Sequence, residues 1–230
     1  MKVICIIPAR KGSKGIKNKN TIKIGDKSLI DISIKFAIKL KFIDKIIFSS
    51  DSKLYLNKAK KYKNIGLNLR PKKLSSDKSL MVDYIKYQLN EEKKLGNFYD
   101  FVLLLQVTCP YRKKEHFYKA YKILKNKKYN SVITINRAKE HPNRLKIYKK
   151  NYLVNYLKKL KTEDLKPRQQ LEPVYIRSGS MYFFESTLPN KKNTLVGDKT
   201  YGIKVSGKYA INIDNYNDLV LAKYFANQRK

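Results

Sequence analysis

Short apolar runs alternate with amphipathic stretches along most of the chain. Residues 3–7 and 101–105 are uninterrupted apolar runs of strand length, which is typical of strands covered on both faces. Elsewhere apolar residues recur at spacings of three and four, as they do in amphipathic helices. The helical stripes are Ile30, Ile34, Ala37 and Ile38; Met81, Ile85 and Leu89; Phe117, Ala120, Tyr121 and Leu124; and Leu219, Ala222 and Ala226. Further strands are predicted at 45–49, 67–69, 131–135, 181–184 and 209–213, and a helix after the polar residues 49–52 runs to residue 59.

This alternation predicts an α/β protein with a Rossmann-like, open and mostly parallel sheet flanked by helices. In such sheets ligands bind beyond the carboxyl ends of the strands. Residues 12–20, 49–51 and 106–112 all follow predicted strands, so one pocket is expected to gather them. We expect a single domain over residues 1–230, because no repeat, linker or second unit is evident.

Residues 139–173 interrupt the alternation. They contain LKIYKK and NYLVNYL, which suit a hairpin, and then the polar stretch KTEDLKPRQQ. An excursion of this length is either a flexible lid or an arm that contacts a partner.

The charge of the chain is unusual, although its apolar fraction of 42% is not. The 52 basic and 18 acidic residues give a net charge of +34, which would normally indicate nucleic acid or another anionic partner. However, the lysines are spread over every predicted helix, and Lys, Ile, Asn and Tyr are abundant together, as A/T-rich coding would produce. No zinc finger, basic zipper or RNA-binding aromatic motif is present. Nucleic-acid binding is therefore an alternative and not the expected function.

The cysteines and the apolar runs indicate the compartment. Cys5 and Cys109 form no C-x-x-C pair, so neither a zinc site nor a disulfide framework is predicted. The apolar run at 3–7 is too short for a signal peptide, and no run is long enough to cross a bilayer. We expect a soluble, unexported protein of the reducing cytoplasm that does not associate with membranes.

The richest candidate site is the loop after the first strand, KVICIIPARKGSKGIKNKN at residues 2–20. Its cations, Arg10, Lys11, Lys14, Lys17 and Lys19, surround Gly12, Ser13 and Gly15. Glycines let backbone N–H groups converge, and such amides together with cationic side chains bind polyphosphates. The spacing matches neither a Walker A loop nor a dinucleotide fingerprint, so a solvated basic turn is the alternative.

Six blocks carry a family resemblance. They are IIPARKGSKGIKNKN (6–20), FSSD (48–51), LRPKKLSSD (69–77), LLLQVTCPYR (103–112), KPRQQLEPVYIRSGSMYF (166–183) and INIDNYND (211–218). In this order the blocks resemble the cytidylyltransferases that make CMP-sialic acid and related CMP-nonulosonic acids. The resemblance extends over almost the whole chain. It implies transfer of CMP from CTP to a nine-carbon acid sugar, with Mg²⁺ as cofactor, and a homodimer in which residues 139–173 form the dimerisation arm.

The resemblance also implies a nucleotide site. Its nucleotide-binding residues would be Arg10, Gly12, Ser13, Lys14, Asn20, Arg70 and Ser79, and its catalytic residues Lys19, Arg10 and Lys14. Arg10 and Lys14 would hold the triphosphate, and Lys19 would help to neutralise the transition state. Lys11 and Lys17 are interpreted as surface charge. The alternative for Arg70 is an ion pair with a local carboxylate. Asp77 is interpreted as a structural residue that can cap the following helix.

For the acid sugar, the resemblance implies Gln106, Arg144, Arg168 and Tyr182. Gln106 offers a neutral amide to hydroxyl groups, while Arg168 would bind the carboxylate with forked geometry. Arg144 follows His141-Pro142, where the family commonly has a substrate-contacting lysine three residues after the histidine, and arginine in place of lysine changes the shape of the contact. Tyr182 would line the sugar pocket, or else simply pack in the core.

The family's metal motif is Asp-x-Asp, and here the corresponding residues are Asn212 and Asp214. Mg²⁺ needs only one or two carboxylates in addition to phosphate oxygens, so Asp214 could suffice, with Asn212 as a neutral or water-mediated ligand. Asp218 is interpreted as a helix cap, and neither histidine as a catalytic base. Two alternatives within the family stay open: a sister enzyme that activates an octulosonic acid, and an inactive member that only binds nucleotide.

Overall fold

A computed structural model describes residues 1–12, 15–158 and 166–228, and of Arg168 only the backbone. The strands are β1 Val3–Pro8, β2 Lys23–Ile24, β3 Lys27–Ser28, β4 Lys45–Ser50, β5 Gly66–Leu69, β6 Phe101–Leu104, β7 Ser131–Arg137, β8 Lys146–Lys149, β9 Tyr152–Asn155, β10 Tyr175–Glu185 and β11 Thr200–Lys204. The helices are α1 Leu29–Ile38, α2 Lys53–Ala59, α3 Met81–Lys94, α4 Lys114–Lys125, α5 Leu188–Lys192 and α6 Tyr216–Asn227.

A seven-stranded sheet in the order β11-β7-β10-β6-β1-β4-β5 organises the fold. All neighbouring strands are parallel except β10, which runs antiparallel to both β6 and β7. The predicted mostly parallel α/β sheet is therefore confirmed. Because β1 lies between β6 and β4, it is buried along its length, which explains its unbroken apolar sequence.

Helices cover both faces of the sheet. Val3, Cys5 and Ile7 of β1 belong to one core cluster, which includes buried residues of α1, α2, α4 and α6. Ile4 and Ile6, on the opposite face, belong to a second cluster with residues of α3 and α5. Side chains that alternate along a strand thus reach two different layers of helices. Within the described ranges no helix has the length and apolar character that a membrane crossing requires.

The strand predicted at 209–213 is wrong. A 3₁₀ turn occupies Gly207–Ala210, and the backbone after it is irregular. Ile211 and Ile213 are buried in the first core cluster, so their alternation reflects loop packing and not a sheet ladder. The last strand is β11, which the sequence did not predict because Gly202 and Lys204 interrupt its apolar pattern.

The hairpin suggested within 139–173 is confirmed. Strands β8 and β9 pair with each other and lie outside the main sheet. The strand predicted at 181–184 is longer than expected, since β10 begins at Tyr175 and contains a register shift between Arg177 and Tyr182. The remaining predicted helices and strands are confirmed, with ends that shift by a few residues.

Candidate active site

A cleft of about 360 Å³ opens beyond the carboxyl ends of β1 and β6. Its lining is Pro8, Arg10, Lys19, Asn20, Arg70, Ser76, Asp77, Ser79, Met81, Gln106, Val107 and Thr108. The basic loop and the segment after β6 thus meet in one pocket, as the sequence predicts. The residues after β4 join indirectly, because the carboxylate of Asp51 accepts a hydrogen bond from the backbone N–H of Lys11 at 2.8 Å.

Lys19 links the basic loop to the segment that follows the 3₁₀ turn at 207–210. Its ammonium group donates to the carbonyl of Ile213 at 2.6 Å and lies 3.0 Å from Oδ1 of Asp214. The lysine side chain is only 11% exposed, whereas that of Asp214 is 65% exposed. Gly15 makes this approach possible, since a Cβ atom at that position would overlap the carbonyl oxygen of Asp214. Nothing in the local sequence distinguishes Gly15 from Gly12, around which no described residue lies close enough to contact a Cβ atom.

Arg10 is held at the rim of the cleft by two contacts. The buried Asn20 amide donates to the Arg10 carbonyl at 2.8 Å, and the guanidinium pairs with Asp77 at 2.8 Å. Asp77 does not cap a helix: α3 begins after Leu80, without a side-chain cap. The interpretation of Asp77 as a cap is therefore wrong, and the sequence missed it as an acidic partner of the basic loop. A carboxylate on Arg10 occupies a position that an anionic ligand can take over.

Arg70 lies beneath the cleft, 4% exposed, with its guanidinium 4.3 Å above the ring of Tyr84. Its Nε atom has no hydrogen-bond partner among the described residues, and no ion pair with a carboxylate is observed there. The alternative of a local ion pair is thus not supported. Burial lowers the pKa of Arg70 from its ordinary value and raises that of Tyr84 to about 12. A buried cation without a carboxylate partner is expensive, and an anionic ligand would offset that cost.

Tyr84 supports Arg70 from below, and Ser79 belongs to the lining of the cleft. The phenol of Tyr84 donates to Gln88 at 3.1 Å, which fixes the ring under Arg70. The hydroxyl of Ser79 donates to the carbonyl of Lys73 at 3.0 Å and accepts from the backbone of Ser76 at 3.1 Å. Ser79 therefore lines the cleft, as predicted, while its hydroxyl also closes the loop before α3.

Gln106 is the one member of the predicted sugar set that lines the cleft, as far as the described residues go. Its side chain lies against Gly179, where a Cβ atom would overlap Oε1 of Gln106. Gly179 also has φ +78°, in the left-handed region that favours glycine. The backbone carbonyl of Gln106 accepts a hydrogen bond from the guanidinium group of Arg112 at 2.5 Å. Arg112 thus supports the loop and does not face the cleft.

The other predicted sugar residues lie elsewhere. Arg144 belongs to a 3₁₀ turn, Pro142–Arg144, and donates to the carbonyl of Lys166 at 3.0 Å. Tyr182 is half-buried on β10 and packs against the second core cluster, where burial raises its phenol pKa. Lys14 and Ser13 lie outside the described residues, as does the side chain of Arg168, so their predicted roles stay predictions.

The predicted metal residues are close together, but only Asp214 brings a carboxylate, and its Oδ1 atom lies 3.0 Å from the ammonium group of Lys19. Asn212 donates from Nδ2 to Oδ2 of Asp214 at 2.5 Å, and its own Oδ1 accepts from Thr108 at 2.5 Å. The described part of the chain holds no group of three or more His, Cys, Asp or Glu side chains that could bind a metal ion. A single exposed carboxylate beside a cationic cleft nevertheless fits Mg²⁺, which keeps several waters and binds phosphate oxygens. Asp218 caps α6 together with Asn215, as predicted.

An open α/β sheet with a cationic cleft at its carboxyl edge is the architecture of a nucleotide-binding enzyme. The family model described as "Cytidylyltransferase" matches residues 4–228, and the chain belongs to this family. An N-acylneuraminate cytidylyltransferase of Streptococcus agalactiae is 28% identical over 96% of this chain and 52% of its own length. A CMP-N,N'-diacetyllegionaminic acid synthase of Legionella pneumophila is 31% identical over 79% of this chain and 77% of its own.

These relatives confirm the family resemblance, although the chain spans only about half the length of the Streptococcus enzyme. Among solved structures, a CMP:2-keto-3-deoxy-manno-octonic acid synthetase complexed with CTP superposes with a TM-score of 0.70 over 100% of both chains. Its identity of 13% shows the shared fold alone.

Proposed function

We propose that this chain transfers CMP from CTP to a nonulosonic acid and releases pyrophosphate. The observation that carries the proposal is the cleft itself, in which Arg10, Arg70 and Lys19 converge beside the exposed carboxylate of Asp214. Family membership and the names of the relatives support the choice of reaction. The oxygen of the sugar's anomeric hydroxyl would bond to the α-phosphorus while the bond from that phosphorus to the bridging oxygen breaks. Pyrophosphate takes the bond's electrons, and the hydroxyl proton passes to solvent.

The cations of the cleft have separate tasks in this proposal. Arg10 exchanges Asp77 for a phosphate group, because a phosphate offers more charge and more acceptor oxygens than the carboxylate. Arg70 receives the partner that its buried Nε lacks. Lys19 is held by Ile213 and Asp214 at the edge of the cleft, where it would neutralise charge that builds on the reacting phosphate. Lys14 and Ser13 are proposed to complete the phosphate loop.

We assign Asp214 as the protein ligand of Mg²⁺. The bound ion would supply positive charge to the phosphate oxygens and so favour departure of pyrophosphate. Asp214 suits this role because its carboxylate is exposed and its backbone N–H is fixed by Asp218 at 2.9 Å. The backbone of Ile213 donates to Thr108 at 2.9 Å, which ties the segment to the cleft wall.

For the sugar side we propose that Gln106 binds hydroxyl groups and that Arg168 meets the carboxylate. Gln106 lines the cleft, and its side chain packs against Gly179. Tyr182, on β10, and Arg144, within the arm, are proposed to complete the sugar site.

We also propose that the chain forms a homodimer through the hairpin β8–β9. Large apolar side chains on this hairpin and beside it are exposed: Tyr148, Tyr152, Leu153, Tyr156 and Ile176. An exposed patch of this kind marks an interaction surface. Leu153→Glu should give a monomer by light scattering coupled to gel filtration. Leu95→Glu, an equally exposed leucine away from the hairpin, is the matched control.

The compartment proposed is the cytoplasm. Both cysteines are free and buried, and burial raises the pKa of each thiol above its ordinary value. Protonated, inaccessible thiols of this kind are compatible with a reducing environment.

The direct test is pyrophosphate release from CTP and Mg²⁺ with a panel of acid sugars. We expect turnover with at least one of sialic, legionaminic and pseudaminic acids, and formation of the corresponding CMP-sugar. Turnover with octulosonic acid and with no nonulosonic acid would show that the chain is instead a CMP-octulosonic acid synthetase. CTP binding without turnover on any sugar would refute the enzymatic proposal.

A further inference from the structure

A continuous chain of hydrogen bonds runs from the wall of the cleft to Asp214. The hydroxyl of Thr108 donates to Oδ1 of Asn212 at 2.5 Å, and Nδ2 of Asn212 donates to Oδ2 of Asp214 at 2.5 Å. The other carboxylate oxygen, Oδ1, faces the ammonium group of Lys19 at 3.0 Å. The thiol of Cys109 is a second donor to the Asn212 carbonyl, with its sulfur at 3.6 Å.

The chemistry of the neighbours decides which end of the Asn212 amide faces Asp214. An ionised carboxylate only accepts, so the amide atom in contact with it must be the NH₂ group. The carbonyl then faces two donors, the Thr108 hydroxyl and the Cys109 thiol. The Thr108 hydroxyl therefore engages one lone pair of the Asn212 carbonyl, while the single thiol proton of Cys109 is shared with the backbone carbonyl of Ser178, also 3.6 Å from the sulfur.

Resting on the proposed function, we infer that Asn212 is a positioning residue for Asp214 and not a metal ligand. It holds one carboxylate oxygen through its NH₂ group, which leaves the oxygen beside Lys19 for a divalent cation. Thr108 acts through Asn212, because its hydroxyl donates a hydrogen bond to the carbonyl oxygen of the Asn212 amide and so holds the amide in this orientation. The site then offers one carboxylate oxygen where two aspartates would offer two carboxylates. Since carboxylate count tunes the affinity of oxygen sites, a second aspartate should tighten binding.

The opposite arrangement has a clear cost. Rotating the amide would set its carbonyl against the Asp214 carboxylate and its NH₂ group against the Cys109 thiol. The hydrogen bond to Asp214 would be lost and two oxygens would repel each other, unless a cation lay between them. The Thr108 hydroxyl would then accept from the NH₂ group instead of donating to the carbonyl. In that arrangement Asn212 would be a neutral ligand, and its removal would weaken metal binding further even in a chain that already carries Asp214→Ala.

The test uses Mn²⁺ as the probe, with CTP present and no sugar, so that no turnover occurs. Electron paramagnetic resonance of free Mn²⁺ gives the dissociation constant for the intact chain and for each variant. We expect Asn212→Asp to tighten Mn²⁺ binding by about tenfold, because it adds a carboxylate. Asn212→Ala and Thr108→Val should each weaken it less than Asp214→Ala does. The double variant of Thr108→Val and Asn212→Ala should match Asn212→Ala, since the two act in series.

Added to Asp214→Ala, Asn212→Ala should cause no further loss, because a positioning residue acts only through Asp214. A further loss in that double variant, or no tightening in Asn212→Asp, would overturn the positioning role. If Asp214→Ala binds Mn²⁺ as well as the intact chain does, the metal assignment of the proposed function fails instead, and this inference fails with it. Thermal melting identifies variants that do not fold. Thr108→Val, which preserves side-chain shape, keeps the test open if Asn212→Ala is unstable.

Discussion

Replacing Lys19 by methionine removes the ammonium group but keeps most of the apolar stem. The group donates to the Ile213 carbonyl at 2.6 Å and pairs with Asp214 at 3.0 Å. A charged hydrogen bond from a side chain that is only 11% exposed contributes about 2 kcal/mol. The ion pair adds at most about 1 kcal/mol, because the carboxylate is 65% exposed and screened by water. We therefore expect Lys19→Met to lose about 2 to 3 kcal/mol of unfolding free energy, measured by urea denaturation.

The effect on turnover should be larger than the effect on stability. Removing one preorganised group that stabilises transition-state charge typically lowers kcat by about 100- to 1000-fold, or about 3 to 4 kcal/mol. Steady-state pyrophosphate release measures this loss with the best acid sugar of the panel. The matched control is Lys17→Met, in the same loop, whose side chain is exposed. It should keep kcat within about twofold, because an exposed cation contributes little.

Two results would refute this reasoning. A Lys19→Met enzyme with kcat within a few-fold of the intact chain would remove Lys19 from the chemistry. Equal losses in the two variants would mean that the loop contributes only diffuse positive charge. In that case both losses should also fade at high salt, since exposed charges are screened.

Arg70→Lys keeps the positive charge but loses the planar guanidinium group that lies over Tyr84. The Kd for CTP, measured by calorimetry, should rise about tenfold. An unchanged Kd would contradict the assignment of Arg70 to nucleotide binding. Asp77→Asn removes the carboxylate that competes with CTP for Arg10, so metal-free CTP should bind about threefold tighter. The control, Asp26→Asn at an exposed carboxylate, should leave the Kd for CTP unchanged. Weaker CTP binding in Asp77→Asn would contradict the proposal that phosphate displaces Asp77 from Arg10. Asp31→Asn tests the pH dependence of stability. Burial raises the pKa of Asp31, but hydrogen bonds from Lys61, Ser28 and Tyr62 outweigh it and hold the pKa at about 2, below its ordinary 3.8. This stabilisation is complete above about pH 4 and is lost as pH falls towards 2. The free energy of unfolding of Asp31→Asn should be about 1 kcal/mol lower than that of the intact chain at pH 7; the pKa shift alone would give more, but the Lys61 partner is exposed and screened by water. This difference in unfolding free energy should shrink below pH 4. A difference that stays constant down to pH 2 in urea titrations would refute the shift.

Local periodicity was sufficient for most of the fold. The strand β1 is apolar at every position because it is central, and the stripes of α1, α3 and α4 follow from burying one face of each helix. The prediction of a strand at 209–213 failed because alternating burial there comes from the packing of a loop and not from pairing within a sheet. Ile211 and Ile213 alternate like a strand, yet they are buried as loop residues.

The site shows the same division. The basic loop and the six family blocks were sufficient to predict the cleft that contains Arg10, Lys19, Asn20, Arg70 and Gln106. Its electrostatic partners were not predictable, because each depends on which strands are neighbours in the sheet. Asp77 meets Arg10 across the cleft, and Asp214 meets Lys19 from 195 residues away.

By itself, then, the sequence determined the layered α/β architecture, the family and the cationic loop, since these depend on spacing and residue type within short segments. Only the tertiary structure decided how the polar groups pair. It put Tyr84 beneath Arg70, brought Gly15 against the backbone of Asp214, and turned the Asn212 amide towards that carboxylate. Such contacts join segments that are distant in the chain, and their geometry is set by the order of strands and the packing of loops at one edge of the sheet.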